Sequence, residues 1–558
     1  MAEERAKRHI ERYQRLMGGR GAWAQHAEDL VKLMQPGRMG FTSTTVPGDR
    51  RTDDLYDGTP MQAARGLANA TGGMLRPEGE KWFFLRASED MDEAGDEGKD
   101  WLADTEERMR DAFDDPKARF RQATGEADLD LVVIGTAALY EGEGTRRNHL
   151  LFQSLHLKDA CPYFDEDGRA AGLYRVRRLT LRQAMEKFGL GALSDASKEA
   201  IRNEKYEDET DFLHCVTPRA EGRAGALLAR NFPYTDTWIE MRDQRIVQDG
   251  GFREFPFIVP RWDTSSGEAY GRSPGMIALP DASTLQAMGE TLLIAGQRAA
   301  DPPLGAPADG AFHEINTVPG GLAYYDPDTA AKIGGNPFFP IESGAKMPLT
   351  VEMQRDMRQQ VWAAFLRNIL NLPVEGPQMT ATEVIQRREE IIREIGPVFG
   401  RLETDYTAPM VERAFRIMFR ANAFLPPPEG LRAVRFEYES PVKRIRQSVE
   451  AAAARLWVQE HIEAAKATGR MDILDAINFD EYSRFTAESA ALPHRILNGK
   501  AAVARIRQER AQAQQAAQQA AMAEQVANAA KTAGEIPGMK QLLENAGGGA
   551  QQQPKRAA

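Results

Sequence analysis

The sequence predicts an α+β fold. Helical periodicity dominates roughly the first 125 residues, strand-like runs fill about 130 to 265, and long helical patterns return after 275. Segregated runs of this kind, without a regular strand–helix alternation, mark that class. At 558 residues the chain exceeds what one core fills, so roughly two to four domains are expected. With 42% hydrophobic and 27% charged residues, the composition is that of a folded soluble protein. The net charge of −11 lacks the basic footprint of a tight, non-specific DNA binder, yet allows a protein that surrounds DNA without gripping it. Cys161 and Cys215 make neither a disulfide framework nor a metal spacing, which fits assembly in a reducing compartment.

The N-terminal "MAEERAKRHIERYQRL" is charged and amphipathic, which suits a surface helix and not a signal peptide. Gly18-Gly19 and Pro36-Gly37 break the helical pattern. "WFFLR" at 82–86 is short and aromatic, a strand signal. The acidic stretch after it resembles the start of a calcium loop at Asp90, Asp92 and Gly95. However, Ala94 replaces an oxygen ligand and Trp101 stands where a bidentate glutamate belongs, so it reads as a solvated acidic loop. The most apolar run, "LVVIGTAALY" at 131–140, is about half the length needed to span a bilayer, and no conventional membrane helix is expected.

"CPYFDEDGRAAGLYRVRRLT" places Asp167-Gly168 between two strand-like runs, a hairpin signal. "LRQAMEKFG" follows as a short helix closed by Gly189. "GLGALS" begins like a dinucleotide loop but lacks the third glycine and a βαβ setting. Further strands are expected around "DFLHCVTP", "YTDTWIEM" and "FPFIVPRWD". His214 and Cys215 are adjacent and so point to opposite faces of a strand, as packing positions and not a metal pair.

"AYGRSPG" at 269–275 satisfies G-x-S-x-G, the nucleophile-elbow pattern of α/β-hydrolases. The elbow needs the N–H of the residue after the serine, and that residue is Pro274, which has none. Proline also pushes Ser273 toward extended backbone, against the sharp turn the elbow requires. The stretch therefore reads as a turn shaped by Gly271, Ser273, Pro274 and Gly275 between two ordered elements.

After 275, Asp281 and Ser283 are candidate N-caps for a helix whose stripe is Leu285, Met288, Leu292 and Ala295. It stops at "DPP" (301–303), and a Gly/Pro-rich stretch to 349 suits a small strand-and-loop module. Thr350 can cap a second helix over 351–370 carrying Met353, Met357, Val361 and Phe365. Two helices bracketing one insertion make a stalk with a small head. "NLPVEGPQM" is a loop ending in a capping box, Thr380 with Glu383. The following helix carries Val384, Ile391, Ile395, Val398, Leu402 and Tyr406 on one face; Gly396-Pro397 should kink it and Pro409 interrupt it. "VRFEYESP" is a strand, 445–505 is helical, and "RQERAQAQQAAQQAAMAEQVANAAKTA" is nearly pure helix former with few large apolar side chains. Such a helix gains most by packing against copies of itself. The last segment, "ENAGGGAQQQPKRAA", is expected to be disordered.

The chain resembles the portal (head-to-tail connector) proteins of short-tailed, T7-like bacteriophages. The similar passages include "LYDGTPMQAARGLANATGGMLRPEGEKWFFL", "GTAALYEGEG", "YFDEDGRAAGLYRVRRLTLRQAMEKFG", "AYGRSPGMIALPDASTLQAMGETLLIAGQRAADPPL" and "MTATEVIQRREEIIREIGPVFGRLETDYTAPMVERAF", in family order across most of 50–420. The resemblance implies a portal fold: a wing (1–275, and 381–445 with its kinked helix), stem helices (276–300 and 350–370), a clip (301–349) and a tunnel loop (371–380). A crown (446–505), an Ala/Gln-rich helix that could form a barrel (506–535) and a tail (536–558) complete it.

It further implies a self-assembled ring, typically of twelve subunits, at one vertex of the phage head. Double-stranded DNA would pass through its channel, with terminase large subunit, tail or adaptor proteins, major capsid protein and scaffolding protein as partners. No cofactor and no membrane contact are implied. Pro373, Val374, Glu375, Gly376, Pro377 and Gln378 fall where the tunnel loop would face DNA; the alternative is a plain helix connection. Arg355, Arg358 and Arg367, with Lys332 and Lys346 in the clip, are candidates to line the channel; the alternative for each is a solvated or intersubunit salt-bridge residue. No G-x-x-x-x-G-K-[ST] is present, consistent with a separate ATPase driving translocation. An enzyme acting on nucleic acid or cell wall would need a carboxylate pair or metal cluster that the sequence does not show. An internal ejection protein would not explain the helix–insertion–helix stalk.

Overall fold

Helix α1 (Ala2–Gly19) sets Ala6 and Ile10 against Tyr174, Leu213, Cys215 and Ile239 on one face of an antiparallel sheet. The computed structural model describes residues 2–79, 81–87, 95–144, 149–223, 225–307, 318–319, 321–325, 339–340, 347–367, 396–429, 431, 433–438, 441–489 and 500–534. Two units divide the chain, Met1–Arg446 and Gln447–Ala558.

The main core of the first unit gathers α2 (Gly21–Met34), α3 (Thr59–Leu75), β1 (Phe83–Ala87), α4 (Gly95–Asp114) and α5 (Phe120–Ile134), through Leu30, Leu67, Phe83, Met109 and Leu131. Trp101, which denies the calcium-loop pattern its glutamate, is itself a core residue whose Nε1 donates to the Leu425 carbonyl at 2.8 Å; Asp90 and Asp92 lie outside the described residues. The apolar run at 131–140 is the end of α5 and the approach to β2 (Leu139–Glu143), buried from Leu131 to Leu139. Gly135, at φ 79°, turns the chain between the two. Among the described residues no helix is long and apolar enough to cross a membrane.

β2 pairs antiparallel with β3 (Leu150–Ser154). A five-stranded antiparallel sheet follows, beginning with β4 (Ala160–Phe164) and β5 (Ala170–Thr180), joined at the expected Asp167-Gly168 hairpin with Gly168 at φ 75°. Thr180 and Gln183 close a capping box on α6 (Leu181–Phe188), which Gly189 ends. "GLGALS" is a turn into α7 (Asp195–Arg202), capped by Ser194. β6 (Glu209–Val216), β7 (Tyr234–Glu240) and β8 (Arg245–Phe252) complete the sheet in sequence order. Cys215 faces the α1 side, while His214 stacks on Trp238 at 4.1 Å, as opposite strand faces require. β9 (Phe257–Ile258) returns to pair with β2.

α8 (Pro274–Ala300) and α9 (Met347–Ala364) pack along each other. Between them β10 (Leu304–Pro307) lies parallel to β11 (Leu322–Tyr325) and antiparallel to β12 (Phe339–Pro340). Both helices begin earlier than the capping residues predict. Asp281, Ser283 and Thr350 lie inside them, because Pro274 and Pro348 occupy the first turns, where a missing N–H costs nothing. Met353 is exposed, whereas Val361 and Phe365 are buried.

Residues 396–402 are helical, with Gly396 and Pro397 opening the described segment; the chain before them, including Thr380, Glu383, Val384, Ile391 and Ile395, lies outside it. Pro409 does not interrupt the helix as expected. Instead Glu403–Thr407 widens into a π-turn, with the Ala408 N–H bonded to the Glu403 carbonyl, and α10 (Ala408–Arg420) continues with the proline in its first turn. Leu402 and Tyr406 are fully buried. β13 (Val434–Tyr438) pairs antiparallel with β1, Phe83 opposite Tyr438.

Most of α11 (Pro441–Thr468), with α12 (Phe479–Ser489) and α13 (Lys500–Gly534), belongs to the second unit. Arg507 forks onto both Asp480 oxygens at 2.5 and 2.6 Å. Beyond it, from 508 to 525, every side chain of α13 is exposed.

Candidate functional site: the helix pair and its anchorage

Ser273 is the N-cap of α8. Its Oγ accepts from the Met276 N–H at 3.1 Å and donates to the Val133 carbonyl at 2.7 Å. The serine is 2% exposed, so both its chemistry and its position are spent on starting a helix. Around it two backbone segments approach closely at glycines. The Gly271 N–H donates to Thr136 Oγ1 at 2.8 Å, and a Cβ on Gly271 would collide with the Gly135 carbonyl. A Cβ on Gly275 would stand 2.6 Å from the Val133 carbonyl oxygen. The G-x-S-x-G spacing is thus a joint between the end of α5 and the start of α8, with Pro274 at N1.

Farther along, a strap before α3 crosses the helix pair. Gln286 of α8 accepts from the Tyr56 and Asp57 N–H groups at 2.8 and 2.9 Å and donates to the Asp57 carbonyl at 2.7 Å. Arg358 of α9 donates from Nε to Asp57 Oδ2 at 2.8 Å, and the Thr59 N–H meets Oδ1 at 2.8 Å. Gly289 lets the strap approach, since a Cβ there would sit 2.9 Å from the Tyr56 Cβ. Burial of Asp57 disfavours its charge, but the hydrogen bonds from Thr59 and Arg358 outweigh that and hold its carboxyl below the usual range. A second buried group lies under α10. Among the described residues the Glu141 carboxyl has no hydrogen-bond partner on either oxygen, and burial pushes its pKa well up despite nearby Arg413; Glu254 adds to the rise.

Of the basic candidates, Arg358 is the strap's ion pair within this chain, Arg367 lies over the Trp362 ring at 3.5 Å, and Arg355 is exposed. Lys332, Lys346 and the loop residues Pro373, Val374, Glu375, Gly376, Pro377 and Gln378 lie outside the described residues. Among the described residues no group of three or more His, Cys, Asp or Glu is placed to hold a metal ion.

The two helices show different outer faces. On α8, Ile277, Pro280, Thr284, Ala287, Thr291 and Ile294 are all exposed, at alternating spacings of three and four residues, and none is charged. That seam runs about 26 Å along the helix. On α9 the exposed positions include Glu352, Arg355 and Asp356. Sequence reasoning missed Asp57, Gln286 and Gly289. One signal was available: Gln286 is a polar residue beside Leu285 of the apolar stripe, and only a bonded polar group sits there cheaply.

Comparison with known proteins gives matches along nearly the whole chain. A protein of Bordetella phage BPP-1 named "Probable portal protein" is 29% identical over 97% of this chain and 98% of its own length. The "Portal protein" of Salmonella phage epsilon15 is 27% identical over 99% of this chain and 100% of its own. Among solved structures, a chain of the "Virion of native gene transfer agent (GTA) particle" aligns with 78% of this chain and 95% of its own at 11% identity. Its TM-score of 0.32 is too low to bear on the fold. The profile of the family described as "Bacteriophage head to tail connecting protein" matches residues 6–497, and the chain belongs to that family.

Proposed function

We propose that this head-to-tail connector, a structural virion component and not an enzyme, is the subunit of a closed ring of about twelve copies at one capsid vertex. In this reading double-stranded DNA passes through the ring during packaging and ejection. Terminase large subunit docks on it first and tail or adaptor proteins later, while major capsid and scaffolding proteins hold it during assembly in the host cytoplasm. α8 and α9 are the stem, 301–349 the clip, 371–380 the tunnel loop, and α13 a candidate barrel helix.

The observation that carries the reading is the uncharged seam of α8 beside the charged face of α9. A head-to-tail contact between unlike faces closes into a ring when the rotation allows, and a six-position seam without charge is suited to a neighbouring helix. The net charge of −11 supports a channel that lets DNA slide, since each cation–phosphate contact adds affinity through counterion release.

Negative-stain images of the purified chain test this: annular top views with an axial hole are expected, and compact particles without a hole contradict it. Deleting residues 373–378 is expected to leave rings intact and to block packaging or retention of DNA. Loss of rings would make that loop a structural connection.

A further inference from the structure

The five-stranded sheet carries a cationic cluster away from the helix pair. Arg175 and Arg177 lie two apart on β5 and so share a face, which α6 borders with Lys187 in its last turn. Arg175 is 5% exposed. Its Nε donates to His214 Nδ1 at 3.0 Å, and its guanidinium carbon lies 5.0, 5.2 and 5.8 Å from the ring centres of Tyr140, Phe257 and Trp238. Lys187 Nζ stands 3.4 Å over the same Trp238 ring.

Among the described residues, the carboxylate that acts on both Arg175 and Lys187 is Asp236, and it is engaged elsewhere. Asp236 accepts from His214 Nε2, Trp238 Nε1 and Gln248 Nε2 at 2.9, 2.9 and 2.8 Å. His214 is neutral, its pKa pushed down to about 3 chiefly by burial, so it offers Arg175 no charge. Among the described residues, the Arg175 terminal nitrogens and the Arg177 and Lys187 side chains have no hydrogen bond and no ion pair. Burial, and then Arg177, pull Arg175 down to about 10; burial, and then Arg177 and Arg175, pull Lys187 down to about 8. A buried guanidinium with two further cations beside it is a local excess of positive charge that a multivalent anion would neutralise.

The geometry points to a binding site for a phosphate-type dianion formed by Arg175, Arg177 and Lys187. The charge sets the class: three cations against Asp236 leave two positive charges, which a dianion balances and a monocarboxylate does not. Arg175 is buried, and its unbonded terminal nitrogens can give an oxyanion two parallel bonds from the guanidinium fork; the same chemistry serves a free ion or a backbone phosphate, which the test below separates.

The test is calorimetric titration of the full-length protein with inorganic phosphate, against sodium chloride at matched ionic strength. Saturable binding of phosphate is expected. Affinity should fall roughly tenfold or more in the double variant Arg177→Gln/Lys187→Gln and survive in Lys187→Arg. Both glutamine positions are partly exposed, and an unchanged thermal midpoint in phosphate-free buffer confirms that the variant folds. No saturable heat in the wild type, or equal affinity in the folded double variant, overturns the site. Displacement of bound phosphate by a short DNA duplex overturns the free-anion source and assigns the cluster to backbone phosphates; no displacement supports the free ion. None of these outcomes depends on ring formation.

Discussion

Arg358 donates to Asp57 at 2.8 Å across 301 residues of sequence, and this pair ties the strap before α3 to α9 while Gln286 ties it to α8. Asp57→Ala removes both the ion pair and the Thr59 contact, and at neutral pH it is expected to cost about 1–3 kcal/mol. The pH dependence has a definite sign. The folded pKa is held below the ordinary 3.8, so the stabilisation is complete above that value and is lost as pH falls through the lower, folded one. Thermal unfolding of the wild type and Asp57→Asn from pH 7 downward should show a gap that stays constant to about pH 5 and narrows below about pH 4. A gap that widens on acidification contradicts this role.

The joint at Gly271, Ser273 and Gly275 makes a different prediction. Ser273→Ala should lower stability by about 0.5–2 kcal/mol through the lost cap. Gly275→Val should cost about 1–3 kcal/mol or more, because its side chain enters the Val133 backbone. A serine-reactive fluorophosphonate should not label the folded protein. Stoichiometric labelling that disappears in Ser273→Ala would restore the hydrolase reading.

Glu141 should act in the opposite sense to Asp57. Its folded pKa is raised, so from about pH 4.5 upward the unfolded chain holds fewer protons than the folded one and stability falls as pH rises. The slope for one such group is at most about 1.4 kcal/mol per pH unit. Glu141→Gln keeps the shape and cannot ionise. Its stability relative to wild type should therefore climb between pH 4 and pH 7 in denaturant titrations; a flat difference would mean that Glu141 ionises normally.

On the α8 seam, Ala287→Glu alters an exposed side chain. It should change subunit stability by no more than about 0.5 kcal/mol while preventing assembly. Size-exclusion chromatography and circular dichroism separate the two effects. Rings that persist in a folded Ala287→Glu protein would remove the seam from the interface.

Local chemistry made much of this fold legible. Thr180 with Gln183 and then Gly189 bound α6 because capping needs only near neighbours, and Asp167-Gly168 makes its hairpin for the same reason. "WFFLR" and "VRFEYESP" each read as a strand, but nothing local pairs Phe83 with Tyr438. The helix starts were misplaced where two local signals competed: proline at a first turn prevailed over Asp281, Ser283 and Thr350 farther in. The π-turn before Pro409 was illegible because tertiary packing of Leu402 and Tyr406, and not propensity, keeps that helix continuous. The strap was hidden for a related reason, since Asp57 and Arg358 are ordinary surface residues until the fold brings them together.

Closure of this chain into a ring is best tested by mass photometry of the purified protein. One dominant species near twelve times the 62.0 kDa chain mass is expected, persisting across salt and dilution. A stable 62.0 kDa monomer under all those conditions would contradict it.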